Sequence, residues 1–169
     1  MNTSDRLIEV AQFYHREARR CSRIHAYLAA SIMQASALEA SLQAMCFLYP
    51  EHVKKTTSHR RKRFRRGRNR ALEFTLNELI KIASELGWFP PTTITLGTKK
   101  TNLTELAHQV REIRNLVHPG KWAREHSRTT KINKQLYESV FEVFDVATSW
   151  LLHRVERSLL RHMRREGVV

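Results

Sequence analysis

The residues best suited to chemistry lie close together, in REIRNLVHPG at 111–120. If the stretch is helical, Arg111, Arg114, Asn115 and His118 stand at i, i+3, i+4 and i+7 and share one face. Ile113, Leu116 and Val117 turn mostly the other way, toward a core. Histidine exchanges a proton near neutral pH. Arginine supplies a permanent charge and a fork that fits phosphate oxygens. Asparagine can hold a side chain or a ribose hydroxyl in place. A helix ending at Pro119 would put His118 at its C-terminus, where the dipole favours imidazolium. The set suits work on a phosphodiester. The plainer alternative is helix capping and surface solvation, because arginine and histidine are common on helices.

The elements that must position these residues read as helices. No Gly or Pro occurs before Pro50. Ser4 and Asp5 are plausible N-caps for a first run carrying Leu7, Ile8, Ala11 and Phe13 or Tyr14. A second stripe follows at Ile24, Tyr27, Leu28, Ser31, Ile32, Ala35, Leu38, Leu42, Met45 and Cys46, with helical spacing. Residues 5–49 make one helix or two, with 15–23 the place for a break. Small residues from Ala29 to Ser41 would let another helix approach closely, and they offer one possible interface between copies. Pro50 ends this section. Helix resumes near Arg70, carries Leu72, Phe74, Leu76, Leu79, Ile80, Ile82, Ala83 and Leu86, and stops at Gly87. A Pro-containing connector includes TTITL at 92–96, the sole short strand candidate. Thr101 or Asn102 then caps the motif helix, with Glu105 in a capping-box-like position. A last helix of more than seven turns carries Leu136, Val140, Val143 or Phe144, Ala147, Leu151, Val155, Leu159 and Met163, with Trp150 and Phe141 in its buried stripe. The expected architecture is all-α: a four- to five-helix bundle, residues 1–169 as one domain.

RNLVHPG, with Arg111 three residues before Arg114, resembles the signature helix of the HEPN superfamily. These are small all-α domains of prokaryotic toxin–antitoxin and antiviral systems and of some RNA-processing factors. Their motif is an arginine, four to six residues, then a histidine, often with a polar residue directly after an arginine. Arg111 and His118 have that spacing, whereas Arg114 is too near His118 but begins the matching Arg-Asn pair. AYLAASIMQASALEASLQAMC is similar to a first long helix of such domains. The resemblance implies a metal-independent endoribonuclease in which two protomers bring their motifs to one cleft. His118 would serve the proton transfer and Arg111 the phosphate, with Arg114 and Asn115 assisting. It also implies that the chain is a toxin or defence component, or a non-catalytic module binding nucleic acid or a partner protein.

The second feature is electrostatic. The chain has 169 residues with 30 Lys and Arg against 16 acids, a net charge of +14. Ten of those cations fall within 54–70: Lys54, Lys55, Arg60, Arg61, Lys62, Arg63, Arg65, Arg66, Arg68 and Arg70. Without them the balance is 20 to 16, so the remainder is only mildly basic. Residues 50–69 read as a basic, mobile insert between the second and third helical segments, since like charges repel and Phe64 is the lone aromatic. Its expected partner is RNA or another polyanion, with an acidic antitoxin or defence protein as the alternative. One aromatic gives little scope for base stacking.

Several classes are excluded. No apolar run reaches the roughly 18 residues of a membrane span. MNTSDRLIEV places charges where a secretory segment would be apolar, so no signal peptide is expected. Cys21 and Cys46 make no disulfide framework and suit a reducing cytoplasm. His108 or His126 with His118 has no recognised ligand spacing, so no metal or cofactor is expected. Trp122 reads as packing over the motif helix, and the arginines from 154 to 165 as a solvated face.

Overall fold

The computed structural model describes residues 2–58, 70–90, 93–96, 99–117 and 132–165. Helix α1 (Thr3–Arg23) is started by Asn2 rather than by Ser4 or Asp5. Asn2 Oδ1 accepts from the Asp5 amide at 2.9 Å, and Asp5 answers with its carboxylate to the Asn2 amide. Ser4 is buried inside the first turn and donates to Asn2 Oδ1. Helix α2 (Tyr27–Leu48) runs back along α1. The break is therefore at 24–26, and 15–23 is helical throughout. His25 turns the chain with φ of 60°. Its amide reaches the Ser22 carbonyl and the Ala26 amide the Cys21 carbonyl, the paired bonds of a Schellman end. Ile24, placed in the buried stripe by its spacing, is 75% exposed at this corner.

Helix α2 is the hub. It packs against α1 and against the three helices that follow the insert. Ala30, Ala35, Ala37, Leu38, Ala40, Leu42, Ala44, Met45 and Cys46 are buried around its circumference, as expected of a helix enclosed on most sides. Most of the small-residue face is thus spent inside the chain, with Ala29, Ser36 and Ser41 left partly exposed. Burial pushes the Cys46 thiol up to about 12, so it packs as a small hydrophobe. Cys21 is only partly buried.

Pro50 both ends α2 and opens α3 (Pro50–Val53), where a missing N–H costs nothing. Val53, Thr56 and Ser58 are buried, and the Thr57 amide donates to Glu85 Oε2 at 2.7 Å. The first part of the 50–69 segment is accordingly folded onto the body. Residues 59–69, including Arg60 to Arg68, lie outside the described residues.

After a 3-10 turn at Arg70–Glu73, helix α4 (Leu76–Glu85) starts at Thr75 with a reciprocal capping box to Glu78. The helix expected from Arg70 onward is therefore interrupted at 74–75, where Thr75 takes extended backbone to serve as the cap. Gly87, with φ of 60°, closes α4 as its spacing predicts. Strands β1 (Thr93–Leu96) and β2 (Lys99–Asn102) form a small antiparallel hairpin, Thr93 opposite Asn102 and Leu96 opposite Lys99. Asn102 then caps α5 (Leu103–Arg114), accepting from the Glu105 amide at 2.8 Å. Helix α6 (Lys134–Arg165) is 32 residues long and buries Tyr137, Val140, Val143, Phe144, Ala147 and Leu151. Trp150, expected in that stripe, is 37% exposed. The class is all-α, with six α-helices and one small hairpin among the described residues. No helix there is long and apolar enough to cross a membrane.

Candidate functional site

Helix α5 positions the motif residues, and its core-facing row explains where they go. Leu103, Leu106, Ala107 and Val110 are buried. Counting on by 4, 3 and 4 from Leu103 reaches Ala107, Val110 and Arg114, so Arg114 continues the row at the end of the core. Its Nη2 meets Glu39 Oε2 of α2 at 2.8 Å. The Glu39 side chain is only 16% exposed. Burial raises the Glu39 pKa, while Arg114 and a hydrogen bond from the Leu76 backbone at the start of α4 pull it down. Three helices, α2, α4 and α5, thus converge on one carboxylate.

Arg111, one turn earlier, turns toward α4. Its Nη1 donates to Asn77 Oδ1 at 2.6 Å and its Nη2 pairs with Glu112. Its Nε is buried and has no hydrogen-bond partner among the described residues. One turn earlier again stands His108. Its pKa is lowered by partial burial first, then by the neighbouring Arg111 and Lys81 charges. Burial and the two neighbouring cations thus bias that imidazole toward its neutral form.

The four-residue stripe is only partly realised. The α-helix stops at Arg114; Asn115 is its C-cap and opens a 3-10 turn, Asn115–Val117. The Asn115 amide still donates to the Arg111 carbonyl, so Asn115 keeps its place one turn after Arg111, and the tighter turn begins only beyond it. His118, with Pro119, Trp122 and His126, lies outside the described residues. Glu39, Asn77 and His108 are the site neighbours that motif reasoning passed over. Glu39 had a readable signal: it is the one charged residue between Tyr27 and Leu48, and a lone carboxylate in an apolar helix needs a cation. Asn77 had none, because its role depends on how α4 docks beside α5.

Of the basic run, Lys54 and Lys55 are exposed at the end of α3, and Lys54 pairs with Glu51. Arg70 opens the 3-10 turn before α4. No cluster of three or more metal-ligating side chains occurs among the described residues. No family model, curated protein or solved structure matches this chain.

Proposed function

We propose that this chain is a metal-independent endoribonuclease of the HEPN type, working as a dimer, in which Arg111 binds the scissile phosphate and His118 moves the proton. The observation that supports it most is the division of labour between the two arginines. Glu39 holds Arg114 against the core, whereas Arg111 is held by an amide and by a carboxylate of its own helix. A phosphate oxygen can replace the Glu112 carboxylate on Arg111 one hydrogen bond for one. Arg114 then acts as a strut and Asn115 as the cap that ends α5. With Arg111 on the phosphate, charge growing on phosphorus in the transition state meets a guanidinium already oriented by Asn77. The ten-cation run supplies affinity for the RNA backbone.

A second reading has its own support. Both guanidiniums already have protein partners, as they would in a non-catalytic helical module that binds nucleic acid or an acidic protein through the insert. Cutting of RNA in EDTA separates the two. The wild type should cleave, His118→Ala should not, and Arg111→Lys, which keeps the charge but loses the fork, should slow cleavage about 100-fold or more. Undiminished cutting by both variants sinks the site assignment, and no cutting by the wild type leaves the binding module.

A further inference from the structure

Helices α4 and α5 lie side by side, and three contacts taken in order fix how they face each other. At the start of α4, the Leu76 backbone shares the Glu39 carboxylate with Arg114 at the end of α5. One residue on, Asn77 Oδ1 accepts from Arg111 Nη1 at 2.6 Å. One turn further along α4 stands Lys81, and one turn back along α5 stands His108. The Lys81 and Arg111 charges both act on that imidazole. The two helices are therefore antiparallel here, and Asn77, Lys81, His108, Arg111 and Glu112 form one polar seam over the buried rows of both.

The seam holds more positive charge than its acid balances. Among the described residues, Glu112 is the one carboxylate acting on His108, and Arg111 already engages it. The acids of α4 are engaged elsewhere, Glu78 at the Thr75 cap and Glu85 at the Thr57 amide. Lys81 is exposed and joins no ion pair among the described residues. Arg111 has a donor to spare as well. Asn77 takes Nη1 and Glu112 takes Nη2, but Nε, on the same edge of the guanidinium as Nη2, is buried without a partner.

We infer that Lys81 and His108 form a second phosphate subsite beside Arg111, so that the α4–α5 seam takes two successive phosphates of an RNA strand. This rests on Arg111 meeting a phosphate, as proposed above. The two positions are one helical turn apart, about 5.4 Å along the seam. Lys81 supplies a point charge, and His108 an N–H donor that gains a charge when protonated. Burial, then the Arg111 and Lys81 charges, lower the His108 pKa, while Glu112 raises it. An anion seated between these cations offsets their effect, so the bound strand favours proton uptake at His108. Affinity should accordingly rise as the pH falls. A strand carries one charge per nucleotide at regular spacing, which suits two subsites one turn apart; an acidic peptide is the competing occupant.

The test is fluorescence anisotropy on the full chain with a 2′-O-methyl octauridylate, which lacks the free hydroxyl that cleavage needs, across a salt series and from pH 5.5 to 7.5. Lys81→Gln should weaken binding about threefold and lower the log–log salt slope by roughly 0.7, the value for one single-strand phosphate. Lys81→Arg should keep the slope, which shows that charge rather than folding is being read. The wild type should bind more tightly at pH 5.5 than at pH 7.5, and His108→Gln should lose about half of that gain or more, the rest belonging to the other histidines. An unchanged slope in Lys81→Gln together with a wild-type pH profile in His108→Gln overturns the subsite, while cutting of unmodified RNA in EDTA would leave the nuclease reading standing. The expected losses in a chain that cuts no RNA keep the subsite and remove the nuclease. A wild type that binds a glutamate octapeptide as tightly as the octauridylate overturns the RNA strand as the occupant.

Discussion

Glu39 is the residue through which the candidate site is tied to the core. Its buried carboxylate has a raised pKa, so the folded chain takes up that proton more readily than the unfolded chain does. The associated stability is present at acid pH and lost as the pH rises through the raised pKa. Glu39→Gln removes this dependence. Its stability relative to wild type should therefore improve as urea midpoints are followed from about pH 4 to pH 7. Arg114→Ala should do the opposite, costing about 1–3 kcal/mol at pH 7 because it strands a mostly buried carboxylate. Combining it with Glu39→Gln should restore more than half of that loss. Additive effects would mean that the 2.8 Å contact couples nothing. A consequence follows for reading cleavage experiments: alanine at Arg114 damages structure as well as chemistry, so Arg111 and His118 are the positions that report on mechanism.

At the scale of the elements, two helix ends share one geometry but use different residues. Gly87 ends α4 and His25 ends α1, each with φ of 60° and each with the paired Schellman bonds. A Cβ on Gly87 would meet nothing within 4 Å, so Gly87→Ala should cost only the backbone penalty, about 1 kcal/mol. His25→Gly relieves the same penalty and should gain up to about 1 kcal/mol, offset in part by losing the 2.7 Å contact to the Tyr27 hydroxyl and by glycine's entropy. Thermal unfolding of both variants checks the pair, and shifts of the same sign would contradict the shared geometry. These ends also mark how far the sequence can be read. Gly87 is visible because glycine is the cheap residue for that conformation, as is Asn102 at its helix start, whereas Pro50 is legible as the end of α2 but not as the start of α3. His25 is invisible because nothing in its type announces a left-handed turn. The Thr75–Glu78 box was readable as T-x-x-E, yet the apolar spacing from Leu72 onward hid it. In the site, the α5 row was legible from periodicity. Glu39 stood out as the lone charge of α2, but its pairing with Arg114, and that of Asn77 with Arg111, depend on how α2 and α4 dock, which local spacing does not encode.

For the whole molecule, the proposed composite cleft requires a second copy, and the structure narrows the surface that could receive it. The small residues from Ala30 to Ala40 are already used to pack the chain's own helices against α2. Apolar surface remains where α1, α2 and α6 border a groove of about 350 Å3, with Ile8, Leu48 and Leu152 exposed along it. A two-fold pairing over this groove is self-complementary, since each copy offers the same apolar rim. Leu152 is 64% exposed, so Leu152→Glu should leave the single chain folded with helix content unchanged. In the proposed dimer it would bury a carboxylate against leucine and isoleucine, at a cost of several kcal/mol. Light scattering at micromolar concentration should therefore show the wild type at twice the chain mass and Leu152→Glu at the single mass. The variant's melting temperature should also stop rising with protein concentration. RNA cleavage by the variant should fall in step with the loss of the dimer, because each protomer keeps its own Arg111 but is deprived of the opposing motif. A wild type that is monomeric, or a Leu152→Glu variant that stays dimeric, rules out this pairing.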